Sequence, residues 1–272
     1  SPMPFGNTTP DIEQIARSAS EEIEHLIRQK RRNPSLPISG LVIGGAGTGK
    51  THMLTRILRK IRKHSWSVIF VTVRAFTNPK KVMQELWSEI IVSMNKVHSD
   101  GRSQFDVVIQ GMIDSYYEKR ENDGFSNIES IDRKIYLKRD MPDINRTFLK
   151  CLILYSEADD EGTKYEITEW LREGLDDEDS ERLGLPLRDI YSMEEAECES
   201  TAKNFITSLG IVLSYSHVPM IICFDEIDSI RDNTLITAWG DAVGFIMNHI
   251  EGILPLCFIK WETWDIFRHI LN

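Results

Sequence analysis

The chain has 272 residues, of which 41% are hydrophobic and 27% are charged, so a soluble globular protein of one large or two small domains is expected. Its formal net charge of −10 at pH 7 excludes a general attraction to nucleic acid or anionic membranes, while leaving room for local basic patches. Four separated cysteines without a C-x-x-C pair, and no apolar run of the roughly 18 residues that span a bilayer, favour a reduced, cytoplasmic protein without membrane contact.

Apolar periodicity predicts strands and helices that alternate along the chain. Helices are predicted at residues 9–32, 50–64, 79–97, 105–117, 144–155, 165–171, 202–215 and 234–250. Strands are predicted at residues 40–44, 67–73, 220–224 and 253–259. Because the strand segments are continuous apolar runs, they indicate a parallel sheet that is buried on both faces.

Charge is unevenly distributed between the predicted elements. Residues 156–200 contain 17 acidic and 4 basic residues, and the remainder is nearly neutral. We interpret this segment as a solvated surface insertion, with a site for a basic partner as the alternative. Basic clusters at residues 28–32 and 56–63 are interpreted as favourable charge at two helix C-termini, with a nucleic-acid contact as the alternative.

A glycine-rich loop follows the first predicted strand, where residues 44–51 read GGAGTGKT and satisfy the pattern G-x-x-x-x-G-K-[ST]. Such a loop surrounds phosphates with backbone N–H groups, which requires glycine conformations, and the following helix adds its positive N-terminal end. Lys50 would contact the β- and γ-phosphates of ATP, and Thr51 would be a magnesium ligand. The predicted nucleotide-binding residues are Gly44, Gly45, Ala46, Gly47, Thr48, Gly49, Lys50, Thr51 and the adjacent His52.

Two carboxylates, Asp225 and Glu226, end the third predicted strand. Ligands in parallel α/β sheets bind beyond the carboxyl ends of the strands, which is also where the glycine-rich loop lies. We therefore predict that Asp225 holds Mg²⁺ and that Glu226 orients and deprotonates the attacking water. Asp228 is interpreted as a helix cap rather than a ligand.

The two motifs together resemble the additional-strand P-loop ATPases, the branch that includes AAA+ proteins. GGAGTGKTHML resembles origin-initiator ATPases and STAND switch ATPases. Pro4–Gly6, Trp170–Gly174 and Cys223–Glu226 resemble large ATPases of phage-defence islands, such as those of bacteriophage-exclusion systems. Family geometry would place Pro4 and Phe5 near the adenine.

This resemblance implies a three-layer P-loop NTPase fold with a central, mainly parallel sheet. It also implies that an extra strand, assigned to residues 67–73, separates the phosphate-loop strand from the acidic strand. The expected organisation is an N-terminal helix at 1–35, an ATPase core at 36–99 and 201–272, and a mainly helical acidic insertion at 100–200, between the second and third strands. The chain ends where the family's fifth strand and C-terminal lid would follow, so a fragment of a longer protein is expected.

Further catalytic residues are implied by family position. AAA+ proteins usually have Asn or Thr at the end of the fourth strand, where Thr263 or, as an alternative, Lys260 would stand. Arg268 lies where an arginine finger can occur and Arg231 is a similar candidate, although a surface arginine is the simpler interpretation of each.

The sequence therefore predicts an ATPase that uses Mg²⁺ and drives a conformational switch or motor in a larger protein or assembly, with antiviral defence as one setting. Protein partners or a homo-oligomer are expected. The alternatives are a nucleotide-binding scaffold with little turnover, and a DNA-associated loader like the initiators, which would need a winged-helix or similar module that the sequence does not show. A GTPase is not favoured, because the sequence lacks an N-K-x-D motif.

Overall fold

The computed structural model describes residues 17–45, 53, 56, 57, 59, 67–97, 101–122 and 136–271. The strands are β1 (Gly40–Ile43), β2 (Ile69–Val73), β3 (Gly174–Leu175), β4 (Arg188–Asp189), β5 (Met220–Phe224) and β6 (Ile253–Ile259). The helices are α1 (Arg17–Arg32), α2 (Val82–Met94), α3 (Gln104–Asn122), α4 (Arg146–Glu157), α5 (Glu161–Arg172), α6 (Asp177–Arg182), α7 (Glu195–Tyr215), α8 (Asn233–His249) and α9 (Trp261–Leu271). A short 3-10 turn, Ile227–Ser229, follows β5.

Most predicted elements are confirmed within a few residues. The helix expected at residues 50–64 is described only at residues 53, 56, 57 and 59, which are all helical, and residues 9–16 lie outside the described part. No helix or strand was predicted at residues 175–200. They nevertheless hold β4, α6 and the start of α7, because acidic residues favour the first turn of a helix and here begin both α6 and α7.

Within the described residues, four strands form a parallel sheet in the order β1-β6-β5-β2. The assignment of residues 67–73 as the separating strand was wrong, since β6 lies between β1 and β5 and β2 pairs with the other edge of β5. Burial gives the physical reason: all seven residues of β6 are buried, as a central strand requires, whereas Thr72 of β2 is half-buried.

Alternate strand residues face two separate hydrophobic clusters, so the sheet is the middle of three layers. On one face, Ile221 and Leu256 pack with Ile27 of α1 and with Ile57. On the other face, Ile222 packs in a larger cluster that includes residues of α2 to α5 and α7 to α9. Helices α2 to α5 and α7, which lie between β2 and β5 in the chain, therefore share a core with the sheet.

The outer edge of β2 is covered by a side chain rather than by another strand. Gln104, at the start of α3, accepts a hydrogen bond from the Phe70 N–H (2.7 Å) and donates to the Phe70 carbonyl (3.0 Å). Its amide nitrogen also donates to the Ser93 carbonyl at the end of α2 (2.8 Å). This buried amide thus satisfies backbone groups that an edge strand would leave unpaired.

A small antiparallel hairpin, β3–β4, packs against the end of α5. Gly174 has φ of +90°, and a Cβ there would lie 1.5 Å from the Arg188 carbonyl oxygen, so only glycine fits this close strand contact. Trp170 anchors the region, because it is 1% exposed and its indole N–H donates to the Pro186 carbonyl (3.0 Å). None of the described helices has the length and apolar composition that a membrane crossing needs.

Candidate active site

The strands that carry the two motifs end at the same edge of the sheet. Ile43 of β1 pairs with Ile259, and Phe224 of β5 pairs with Cys257, so the ends of β1 and β5 differ by about two residues along β6. The Gly44 N–H donates to the Ile259 carbonyl (3.1 Å), which fixes the entry to the glycine-rich loop. Of the predicted nucleotide-binding residues the structure describes Gly44 and Gly45; Ala46, Gly47, Thr48, Gly49, Lys50, Thr51 and His52 lie outside the described residues.

Helical residues after the loop pack directly on the sheet. Met53 is 3% exposed and Ile57 is fully buried, and both belong to the cluster between α1 and the sheet. The glycine-rich sequence therefore stands between strand β1 and helical residues, which is the context that a phosphate-binding loop requires.

The acidic pair lies where β5 meets this edge. The Asp225 N–H donates to the Val73 carbonyl of β2 (2.9 Å), and Asp225 Oδ1 accepts a hydrogen bond from the Glu226 N–H (2.9 Å). Glu226 is exposed and has a left-handed backbone with φ of 59°. Such a conformation is uncommon for a residue with a Cβ, and strained residues of this kind concentrate at functional sites.

Asp228 links the turn after β5 to the end of β6. Its Oδ1 accepts a hydrogen bond from the Lys260 N–H (2.7 Å), and its Oδ2 lies 3.9 Å from Lys260 Nζ. Arg231 donates from Nη1 to the Asp228 carbonyl (2.6 Å). The interpretation of Asp228 as a helix cap was wrong, because Asp232 caps α8 by accepting hydrogen bonds from its first amides.

The remaining predicted residues follow β6. Thr263 is half-buried in the first turn of α9, so it stands just beyond the carboxyl end of β6. Arg268 lies about one and a half turns later. It is exposed and forms an ion pair with Asp265 of the same helix.

A polar loop after β2, residues 74–81, also lies at this edge, and the sequence interpretation did not include it in the site. The Glu85 carboxylate accepts hydrogen bonds from Thr77 N–H (2.8 Å), Thr77 Oγ1 (2.7 Å) and Asn78 N–H (3.1 Å). Phe76 is buried edge-on against Phe224, with ring centroids 6.2 Å apart. The sequence did contain a signal for this loop, because Thr77-Asn78 stands shortly before a predicted helix, and this pattern favours a structured turn.

Cys223 and Cys257 are core residues on β5 and β6. All four cysteines are buried and free. Burial raises the pKa of the Cys223 thiol well above its ordinary value, and the nearby Cys257 and Asp225 raise it further. Burial also raises the pKa of Cys257 to about 12, so both thiols stay protonated and neither is poised as a nucleophile.

The sequence matches the family model of the UvrD/REP helicase N-terminal domain over residues 28–209, two thirds of the chain. The chain belongs to this family. A UvrD/REP-type domain has the P-loop NTPase fold, which confirms the broad part of the sequence interpretation, and ATP hydrolysis is the general activity of this class. The match includes the glycine-rich loop and ends before β5, so the role of the acidic pair depends on the geometry above. No curated protein and no solved structure matches the chain.

Proposed function

We propose that this chain binds ATP at residues 44–52 and hydrolyses it as the motor or switch of a larger protein or assembly. The observation that carries the proposal is the juxtaposition of Gly44, Asp225 and Glu226 at one sheet edge. Lys50 would contact the β- and γ-phosphates, and Glu226 would hold the attacking water and accept its proton. Exposure of Glu226 leaves it free to meet a ligand at this edge.

The residues present fit a magnesium ion. Mg²⁺ in nucleotide sites is typically held by one or two carboxylates together with phosphate oxygens, and Asp225 offers a half-buried carboxylate at this edge. Among the described residues no group of three or more His, Cys, Asp or Glu side chains could hold a metal alone. Asp225 and Thr51 would hold Mg²⁺, which supplies charge neutralisation to the phosphates.

Substitution of Glu226 by Gln tests the proposal. It should keep ATP binding and lower turnover by at least about 100-fold, because it removes the proton acceptor and preserves the shape of the side chain. Steady-state hydrolysis and fluorescent-ATP binding measure the two quantities, with Glu262→Gln of α9 as an exposed control. Turnover at the parental rate would contradict the role of Glu226. Binding without turnover in the unsubstituted chain would favour a nucleotide-binding scaffold.

A DNA-associated motor is the second candidate, favoured by the helicase family match. Arg74 and Lys80 of the loop at residues 74–81 are exposed. They would contact the phosphates of a single DNA strand that crosses this edge of the sheet. The Nζ atoms of Lys80 and Lys81 each lie 3.9 Å from the exposed Glu195 carboxylate. Such exposed ion pairs are weak, so both lysines would still be able to bind DNA phosphates. This proposal revises the preference against DNA, which rested on the overall negative charge and on the lack of a recognisable winged-helix module.

Arg74→Ala tests the DNA candidate. We expect weaker single-stranded DNA binding and a salt dependence reduced by about one phosphate contact. Lys138→Ala, an exposed basic residue outside the loop, is the matched control. Identical binding and salt dependence in both variants would exclude Arg74 from a DNA interface.

The motif resemblances described above support more specific proposals about the kind of assembly in which this ATPase works. In an AAA+ or STAND arrangement, including a phage-defence assembly, Thr263 would sense the γ-phosphate and Arg268 would reach a neighbouring subunit's nucleotide. The exposed position of Arg268 is compatible with an intersubunit contact. A cytoplasmic location and protein partners or a homo-oligomer belong to this proposal. The expected domain division at 36–99 with 201–272, and 100–200, also remains a proposal.

A further inference from the structure

A cavity of about 340 Å³ opens beside the β3–β4 hairpin, and its lining includes none of Gly44, Gly45, Asp225 and Glu226. It lies between the starts of α4 and α7 and the end of α5. Asn145 and Thr147 line it from α4, Thr201 and Phe205 from α7, and Trp170 from α5. The volume is in the range of small-molecule sites in proteins.

Arg188 lines this cavity as a buried cation without an acidic partner. It is 7% exposed, and no carboxylate oxygen of the described residues lies within 4.0 Å of its guanidinium. By contrast, the similarly buried Arg120 pairs with Asp140 at 2.7 Å. A buried cation without a carboxylate partner is costly, and burial lowers the pKa of Arg188 to about 10.

Hydrogen bonds orient the Arg188 guanidinium but do not use all of its N–H donors. Its Nη1 donates to the carbonyls of Trp170 (2.7 Å) and Leu171 (2.8 Å), at the end of α5. Its buried Nε has no acceptor in the described structure. The guanidinium carbon lies 5.6 Å from the Trp170 ring and 5.1 Å from the Phe205 ring. A planar, preoriented arginine of this kind is suited to carboxylate or phosphate oxygens.

Two helix N-termini add positive potential to the same cavity. Asn145 is the cap of α4, and Thr147 follows in its first turn. Helix α7 begins at Glu195 without a side-chain cap and lines the cavity from its first turn through Glu197. The partial positive charge of helix N-termini favours anions, so both helix backbones act in the same direction as Arg188, while the Glu195 and Glu197 carboxylates in the first turn of α7 offset part of that charge.

We propose that this cavity binds a small organic anion, in which a carboxylate or phosphate monoester is attached to an apolar body. The anionic group would meet Arg188 and the hydroxyl groups of Thr147 and Thr201, and the apolar body would contact Trp170 and Phe205. Two exposed rim carboxylates, Asp189 and Glu197, favour ligands with a single anionic group and limit the affinity.

Benzoate, phenyl phosphate and uncharged benzamide are suitable probes. Calorimetric titration of the full chain carrying Lys50→Ala keeps the phosphate loop from contributing. We expect benzoate or phenyl phosphate to bind and benzamide to bind at least about tenfold more weakly, and the tighter of the two anions identifies the anionic group. No binding of either anion, or equal binding of benzamide, would overturn the proposal.

Two variants test whether the anion binds in this cavity. Arg188→Met should weaken anion binding by at least about tenfold, because it removes a charge-assisted hydrogen-bond donor. Since that variant could fail to fold, Glu197→Gln provides an independent test: loss of a rim carboxylate should tighten anion binding by about threefold. Glu178→Gln, an equally exposed substitution on α6, should have no effect. Unchanged affinity in Glu197→Gln, or in a folded Arg188→Met variant, would place the anion elsewhere.

Discussion

Glu226 occupies a left-handed conformation at the end of a strand whose five residues are all buried. A left-handed residue with a Cβ costs roughly 1 kcal/mol, so the structure tolerates strain at this one position of the edge. The hydrogen bond from Glu226 N–H to Asp225 Oδ1 and the contact of Asp225 N–H with Val73 support the strained turn. Together they hold the proposed base and the proposed magnesium ligand in a fixed relation.

Asp228 provides a residue-scale prediction. Its removal in Asp228→Ala frees the Lys260 N–H and loosens the turn that follows Glu226. We expect kcat to fall by about tenfold with little change in KM, because the proposed water-activating group loses its alignment while the phosphate loop is untouched.

Asp228→Asn should retain most activity, since its side-chain oxygen can still accept the Lys260 hydrogen bond. Asp241→Ala, an exposed acidic residue of α8, is the control for loss of charge. If Asp228→Ala and Asp241→Ala gave the same kcat as the unsubstituted chain, the turn would not position the catalytic group.

At the scale of elements, the Gln104 side chain satisfies the backbone groups of Phe70 at the outer edge of β2. We expect Gln104→Ala to lower the free energy of unfolding by about 2–4 kcal/mol, because it leaves buried backbone groups of Phe70 and Ser93 without partners. Chemical denaturation measures the change. Gln110→Ala, on an exposed face of the same helix, should change it by less than about 0.5 kcal/mol, and equal effects would contradict this account.

The end of α1 makes a pH-dependent contribution. Lys30 is 1% exposed and donates to the Leu36 carbonyl (2.8 Å); burial lowers its pKa to about 8, partly offset by Glu251. Between pH 8 and about 10.5 the unfolded chain then binds more protons at Lys30 than the folded chain does, so its contribution to stability rises with pH.

Comparison with Lys30→Met isolates this effect from other titrating groups. The free energy of unfolding of the unsubstituted chain, relative to the variant, should increase from about pH 8 to about pH 10, with little change between about pH 6 and pH 7. Lys138→Met removes an exposed lysine outside this contact, so it serves as the control and should show no such trend. A difference that is flat over the whole range would contradict the lowered pKa.

For the whole molecule, the sequence predicted the strands and the motif-bearing edge well. Continuous apolar runs such as Met220–Phe224 have few alternatives to a buried strand, and the motifs mark where those strands end. The order of the strands was harder to predict from the sequence, because β6 follows β5 in the chain but lies between β5 and β1 in the sheet. Contacts such as Asp228 with Lys260 and Gln104 with Phe70 join residues 32 and 34 positions apart, and local patterns carry no signal for such pairs.

The central claim is that residues 44–51 and the acidic pair form one ATP-hydrolysing site. Steady-state hydrolysis of ATP with Mg²⁺, measured beside a Lys50→Ala control and with and without DNA, tests it most directly. The account predicts turnover that the control loses by at least about 100-fold, since Lys50 would contact the phosphates in the transition state. Turnover that is the same in the control and the unsubstituted chain would contradict it.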